Sequence, residues 1–509
     1  MSDSFLDRGV KASAGLSGTA LDGLARATPS SMGVDADAIV AFLDAVEAAD
    51  LDLHALMIHR NAHVVAEAWR WPYRADRPRN LHSVAKSFTA CAIGLALEEG
   101  RFRLDDKVVS FFPEALPAGV SGWLAAMTIE DLLTMRVGHA GETSGAQWRA
   151  LGTSWTEAFF RIPIVDKPGG AFLYTSAASY MLSAILSRAT GETLHDYLKP
   201  RLLEPLGIKG ESWDIGPDGI NPGGNGLIAK TADMLKLGIL HAQNGVWEGK
   251  RVLPEAWVAE ATRAHVESGR YGYHWWTSPD GGSYSAIGKF VQMAVVFPAH
   301  GATLAVTGAI KGSAKLRPFI DRYFPAAFDA VLTDGPAADA RLGARIVEWQ
   351  KEDAPVAWKA PYLRAAQASD TNGGAARSGA STRRFVMQPN AQGIRALQLA
   401  FTDGDCTLRL DDADGQHVIV AGFDRWIESP NEMPGSDLHH GYHLRGSPVL
   451  AGACWLDTSR LQMTWIFAET AFRDTVVCEF AGQQIVFRRE VNINSGALRY
   501  DDVVGALQE

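Results

Sequence analysis

Ser83-Val-Ala-Lys-Ser-Phe-Thr-Ala-Cys-Ala-Ile-Gly-Leu-Ala-Leu-Glu-Glu-Gly100 decides how this chain is read. Apolar residues stand on nearly every face of it as a helix: Val84, Phe88, Cys91, Ile93, Leu95 and Leu97 among them. A helix that is apolar all round belongs in the middle of a domain. Gly100 suits the C′ position that closes it. Ser83 and Lys86 stand three apart, so they share one helix face and lie within reach of each other. Of the fourteen lysines, only Lys86 has a serine three residues before it. Burying an ammonium is costly unless it is paired or neutral. Burial lowers a lysine pKa from about 10.4, and the positive end of the helix dipole acts the same way. A lysine so lowered can serve as a general base and activate a serine hydroxyl. The plainer alternative makes Ser83 an N-cap and lets Lys86 snorkel to solvent. The residues further along the chain decide between them.

Working outward, a helix is expected over Asp35 to Ala49. A hairpin follows, Ala55–Arg60 and His63–Ala68, turning at Asn61-Ala62. Strand signals return late, at Phe290–Phe297 and Thr303–Thr307. A sheet whose strands come from both ends of a domain, around a helical middle, predicts a layered helix–sheet–helix unit. The division expected is an N-terminal extension (1–30), this unit (31–330), a helix and linker (331–383) and a C-terminal domain (384–509). The linker helix is expected at Ala337–Gln350, and the polar run Gln367–Ser381 reads as linker. From Arg384 onward, Cys406–Leu410, His417–Ala421, Arg460–Phe467, Thr475–Phe480 and Gln484–Arg489 alternate polar and apolar. Turns such as Asp414-Gly415 and Ala481-Gly482 separate them. This is the pattern of an antiparallel barrel or sandwich, and a roughly eight-stranded, lipocalin-like barrel is expected.

Composition narrows the function. The 509 residues are 47% hydrophobic and 21% charged, ordinary globular values. With 48 basic and 58 acidic residues the net charge is −10, which argues against a nucleic-acid partner. No apolar run reaches the roughly 18 residues of a membrane span, and Met1–Asp22 does not read as a signal peptide. The four cysteines (Cys91, Cys406, Cys454, Cys478) form no CxxC. They are expected as free thiols in the cytoplasm. No Gly-x-Ser-x-Gly elbow occurs, and the histidines form no HExxH. Gly224-Asn-Gly226 mimics a dinucleotide fingerprint but follows a Pro-Gly turn, so it reads as a loop near the pocket.

The boxes around the Ser83 helix resemble those of the SxxK serine hydrolases: Asn80–Thr89, Gly100–Val108, Asp131–Met135, Lys167–Ser176, Ala184–Glu192 and Tyr197–Gly207. That superfamily includes class C β-lactamases, penicillin-binding proteins, esterases, D-aminopeptidases and nylon-oligomer hydrolases. The likeness runs over roughly residues 34–310. It implies an α+β fold, an antiparallel sheet sandwiched by helices, with the barrel resembling the lipocalin-like domains appended to some members. The resemblance makes Tyr174 the phenol that shares a proton with Lys86 and Ser83. The family's Tyr-x-Asn reads Tyr174-Thr-Ser176 here, and a serine cannot copy an amide's donor and acceptor pair.

The third box is best matched by Ala286-Ile287-Gly288. The resemblance then gives Lys289 and Ser83 the backbone N–H groups of an oxyanion hole, each typically worth about 3–4 kcal/mol in the transition state. Ala286 replaces the cation that holds a β-lactam carboxylate, which argues against efficient β-lactam hydrolysis; the Lys289 side chain is expected in solvent. Ser176, Gly288, Trp275 and Gln292 are the expected substrate-binding residues. Tyr271, Tyr273, Trp275 and Trp276 read as core or as an aromatic wall, and His139 and His274 as structural or site-lining. The expected activity is a serine hydrolase acting on a small-molecule or peptide substrate, an ester or an amide. Catalysis goes through an acyl-enzyme, and no metal or organic cofactor is implied. An acyltransferase or peptide-cyclising thioesterase would use the same acyl-enzyme. A non-catalytic binder would use the fold alone. The oligomeric state stays open, a homo-oligomer included.

Overall fold

The computed structural model describes residues 18–19, 22–352 and 381–508, apart from positions 144, 267, 269, 436 and 445. Of the helix and linker expected over 331–383, residues 353–380 lie outside the described residues, and a strand already begins at Ser381. Contacts divide the chain into two units. One runs to Arg70 and continues through Leu81–Glu142 and Thr156–Lys351. The other takes in Trp71–Asn80, Thr143–Trp155 and the chain from Glu352.

The first unit is built from α1 (Ala36–Ala48), β1 (Leu53–Arg60), β2 (His63–Trp69), α2 (Ala85–Glu98), α3 (Ser176–Thr190), α4 (Thr231–Ala242), β3 (Tyr284–Gly288), β4 (Gln292–Phe297), β5 (Ala302–Gly308), α5 (Arg317–Asp329) and α6 (Gly335–Trp349), with shorter pieces between. The Asp35 carboxylate caps α1 by accepting the Asp37 N–H. Asn61 and Ala62 both take left-handed backbone, φ 50 and 65, as a two-residue hairpin turn requires. The sheet's long strands run β2–β1–β5–β4–β3. Two-residue strands extend it at both edges: Ala25–Arg26 and Gly18–Thr19 beyond β2, and Trp276–Thr277 beyond β3. The expected union of early and late strands is present as antiparallel β1–β5 pairing.

One face of this sheet buries Leu56, Ile58, Met293, Val295, Leu304 and Val306 against apolar residues of α1, α5 and α6. Helix α4 meets the other face. A Cβ on Gly238 of α4 would sit 2.6 Å from Thr303 Cγ2, so glycine permits that close approach. The strand expected from Phe290 begins at Gln292 instead. Phe290 and Val291 have φ of 59° and 68° and form the turn between β3 and β4. Helix α6 falls where the sequence predicted one, and it packs Ala338, Leu342 and Trp349 into the core of this unit.

The second unit is a barrel of β6 (Ser381–Met387), β7 (Ala396–Phe401), β8 (Asp405–Asp412), β9 (Gly415–Gly422), β10 (Ile427–Pro430), β11 (Pro448–Trp455), β12 (Arg460–Phe467), β13 (Arg473–Ala481), β14 (Gln484–Val491) and β15 (Val503–Leu507). The order is β9–β8–β7–β6–β15–β14–β13–β12–β11–β10, and β9 also pairs with β11. Nine strands therefore close the ring, with β10 outside it. A ring with an odd number of strands and antiparallel neighbours must contain one parallel pair. Here it is Gly422 opposite Gly452. The interior holds a buried ion cluster, with Asp474 accepting from His439 Nε2 at 2.9 Å and from Arg489 Nε at 2.7 Å. Both inserted stretches are bonded within this unit. Arg79 donates to the Thr470 carbonyl and the Asn80 N–H to that of Glu469. The Arg149 guanidinium lies 3.5 Å from the Tyr442 ring centroid.

Candidate active site

A 3₁₀ turn at His82–Val84 leads into α2 at Ala85. Ser83 stands in that turn and Lys86 in the first turn of α2, three residues on, so both side chains share one face. The Lys86 amine lies 3.1 Å from Ser83 Oγ, 3.2 Å from Ser176 Oγ and 2.8 Å from the Gly224 carbonyl. Lys86 is 1% exposed. The carbonyl can only accept. A neutral amine has two hydrogens and one lone pair. It can give its hydrogens to Gly224 O and Ser176 Oγ and turn the lone pair to the Ser83 hydroxyl. Burial pulls the Lys86 pKa down from 10.5 to about 7, opposed in part by the Glu142 carboxylate. That is the range in which a base works at neutral pH.

Tyr174 completes the group. Its phenol shares a hydrogen bond with Ser83, and the Lys86 nitrogen lies 5.0 Å from its ring centroid. Burial is the leading cause that raises the Tyr174 pKa above the usual phenol value, so its proton stays on. Burial thus moves the two pKa values apart, the amine's down and the phenol's up, and each shift favours the neutral form.

Helix α3 begins at Ser176, capped by the Thr175 hydroxyl accepting from the Ala177 N–H. That capping fixes Ser176 at the first helical position, facing Lys86. The Gly223–Gly224 loop lies against both α2 and α3. Thr89 Oγ1 donates to Gly223 O at 2.7 Å. A Cβ at Gly223 would meet the Ser179 carbonyl at 2.5 Å. The stretch read as a loop near the pocket thus supplies an acceptor for the amine. A backbone carbonyl carries no residue-type signal, so only the crowding of glycines hinted at it.

Gly288 ends β3 beside the Ser83 turn. A Cβ there would stand 2.3 Å from the Leu81 carbonyl, so glycine is what lets this strand approach. Lys289 follows and is exposed, while Ala286 is buried. Gln292 is fully buried, and its amide Nε2 faces the carbonyls of Lys289, Phe290 and Gly308. It turns into the protein rather than toward a ligand.

The aromatic stretch splits. Trp275 is fully buried with its ring on His241 and Tyr284; it lines the core. Tyr273 donates to Glu130 Oε1 and stacks on His265. Trp276 and Tyr271 are the rings beside Tyr174, at centroid distances of 5.3 and 6.1 Å. Phe172 joins them, 5.3 Å from Tyr271. Trp276 and Phe172 keep partial access to solvent. His274 bonds Ser179 Oγ at 3.0 Å, and burial, helped by the Lys86 charge, drives its pKa down to about 3. His139 packs on Phe159 and is likewise held neutral by burial. Among the described residues no three His, Cys, Asp or Glu side chains are grouped to hold a metal ion.

A family model described as Beta-lactamase matches residues 43–323, more than half of the sequence, and the chain belongs to that family. Over 294 residues it is 24% identical to the 6-aminohexanoate-dimer hydrolase of Paenarthrobacter ureafaciens, covering 52% of this chain and 74% of that one. It is 29% identical over 210 residues to esterase EstB of Burkholderia gladioli, covering 36% of this chain and 53% of the esterase. Among solved structures it is similar to the octameric penicillin-binding protein homologue of Pyrococcus abyssi. That likeness has 14% identity and a TM-score of 0.45, over 92% of this chain and 99% of that one. No helix among the described residues is long and apolar enough to cross a membrane.

Proposed function

We propose that this chain is a serine hydrolase that opens an ester or amide through an acyl-enzyme on Ser83. The observation that carries the reading is the fully buried Lys86 amine, 3.1 Å from Ser83 Oγ and with acceptors for both of its remaining hydrogens. Ser83 Oγ bonds the substrate carbonyl carbon while its proton passes to Lys86 Nζ. The backbone N–H groups of Ser83 and Lys289 receive the oxyanion. When the tetrahedral centre collapses, the bond to the leaving group breaks. That group takes the Tyr174 proton, and Lys86 restores it. Water then attacks the acyl ester, losing a proton to the same pair, which passes it to Ser83 Oγ as the acid departs.

Two matched relatives bear the names 6-aminohexanoate-dimer hydrolase and esterase, so esters and amides both belong in the assay. Fluorophosphonate labelling read by intact mass tests the reading. One adduct is expected on the wild type and none on Ser83→Ala; an unlabelled wild type sinks it. Because Ala286 supplies no cation, p-nitrophenyl esters should turn over while a chromogenic cephalosporin stays slow. Fast cephalosporin cleavage would overturn that assignment.

A further inference from the structure

Strand β4 reads Gln292-Met-Ala-Val-Val-Phe297, and every residue of it is buried. Gln292 is the one polar side chain in that run, and its Oε1 has no hydrogen-bond partner. A methionine would fill the same space without an unpaired amide oxygen, so the amide is costly to keep. Its Nε2 shows what the cost supports. It lies 3.3 Å from Lys289 O, 3.4 Å from Phe290 O and 3.0 Å from Gly308 O. Three carbonyls accept only, so the nitrogen must be the atom facing them.

The turn that holds the first two of these carbonyls is strained. Phe290 and Val291 are consecutive, bulky and buried, yet both hold left-handed backbone, φ 59 and 68. Such conformations persist only where surrounding structure imposes them. The Gln292 amide binds two of the turn's carbonyls and ties them to Gly308 on β5. The Ile310 N–H adds a bond to Phe290 O, and the Phe290 ring packs edge-on to His82. On the other side of Lys289, Gly288 is fixed by its ladder pairing with Gln292 and runs so close to the Leu81 carbonyl that no side chain would fit between them. Lys289 is therefore held at both ends through one residue.

We propose that Gln292 is a positioning residue: its side-chain amide imposes the left-handed Phe290-Val291 turn that follows Lys289 and so sets the Lys289 N–H beside the Ser83 turn. The role rests on the acyl-enzyme reading above. Gln292→Met removes the donor at nearly constant volume. The kcat for a p-nitrophenyl ester should fall about tenfold or more, short of the loss of a whole donor, with little change in KM. The matching thiono ester, whose sulfur accepts hydrogen bonds weakly, should lose much less, so oxygen-over-sulfur preference shrinks. Adding Val291→Gly, which adopts the turn without strain, should restore most of the rate. Hydrogen exchange across residues 283–297 should quicken in Gln292→Met, and Gln292→Leu serves the same measurements if the methionine variant folds poorly.

Unchanged kcat, equal losses on both esters, or unchanged exchange would each overturn the proposal. The acyl-enzyme reading fails separately, by a Ser83→Ala protein that keeps full activity. The exchange experiment would still report whether Gln292 holds the turn.

Discussion

Lys86 gives the sharpest test, because one number links catalysis to stability. With a pKa of about 7 in the folded chain, the amine is about one-tenth neutral at pH 6 and about nine-tenths neutral at pH 8. If neutral Lys86 is the base, kcat/KM for an ester should rise nearly tenfold per unit below pH 7 and level off above it. Burial is the cause of the shift, and the amine is 1% exposed, so solvent screening does not discount it. The unfolded chain keeps the ordinary value of 10.5. Between those values the unfolded state binds the extra proton, so native stability rises with pH there. Below pH 7 both states carry it and the full penalty stands.

At about 1.4 kcal/mol per unit, that penalty is roughly 5 kcal/mol at low pH, about 4 at pH 7 and about 2 at pH 9. Lys86→Met should abolish turnover and remove this dependence. Relative to the variant, the wild type should gain about 2 kcal/mol between pH 7 and 9, a few degrees in the midpoint of thermal unfolding. Paired melting curves over pH 6–9, with background ester hydrolysis taken from Ser83→Ala, make the measurement. A flat rate profile from pH 6 to 8, together with parallel melting curves, would refute the buried neutral base.

The remaining predictions concern single contacts. Gly288→Ala forces a Cβ to 2.3 Å from the Leu81 carbonyl; backbone must move, so activity should fall at least about a hundredfold, as for a lost oxyanion donor, with a lower melting point. Ser176→Ala removes one acceptor from the Lys86 amine, worth about 1 kcal/mol. Its kcat should drop several-fold in a normally folded protein; wild-type kcat would show that this hydroxyl is idle. In the barrel, Asp474→Asn leaves Arg489 and His439 without their shared carboxylate. It should destabilise that unit by about 3–5 kcal/mol, read as an earlier unfolding transition. Burial pushes the Asp474 pKa up, but the His439 and Arg489 charges hold it below 3.8. The support it gives is therefore present above about pH 4 and lost on acidification below that, visible as acid unfolding that the Asn variant lacks.

Local periodicity made much of the fold legible. The largely apolar run after Ser83, the hairpin at Asn61-Ala62 and the alternating strands from Cys406 to Arg489 each state their conformation in their own residues, and the structure has those elements. The Ser83–Lys86 pair was legible for the same reason, since a spacing of three is a local geometric fact. Other features were not. Trp275 and Trp276 are neighbours, and only the register of Trp276 opposite Ser285 decides which one stands by Tyr174. Strand parity could not supply the answer, because His274 just before them takes left-handed backbone, φ 61, and breaks the alternation. Gln292 was expected among the substrate-binding residues; its carbonyl partners lie in the preceding turn and on a strand sixteen residues away, which its position in the sequence does not reveal.

What the sequence alone determined is thus whatever neighbours along the chain can specify: helix, strand, turn, and two side chains one helical turn apart. What only the tertiary structure decided is which distant groups close around them: the Gly224 carbonyl and Ser176 hydroxyl on the amine, Trp276 beside Tyr174, and the odd ninth strand that shuts the barrel. These contacts join residues that sequence spacing does not relate. They form when burial of apolar faces brings the elements together, and the polar groups caught between must then find each other.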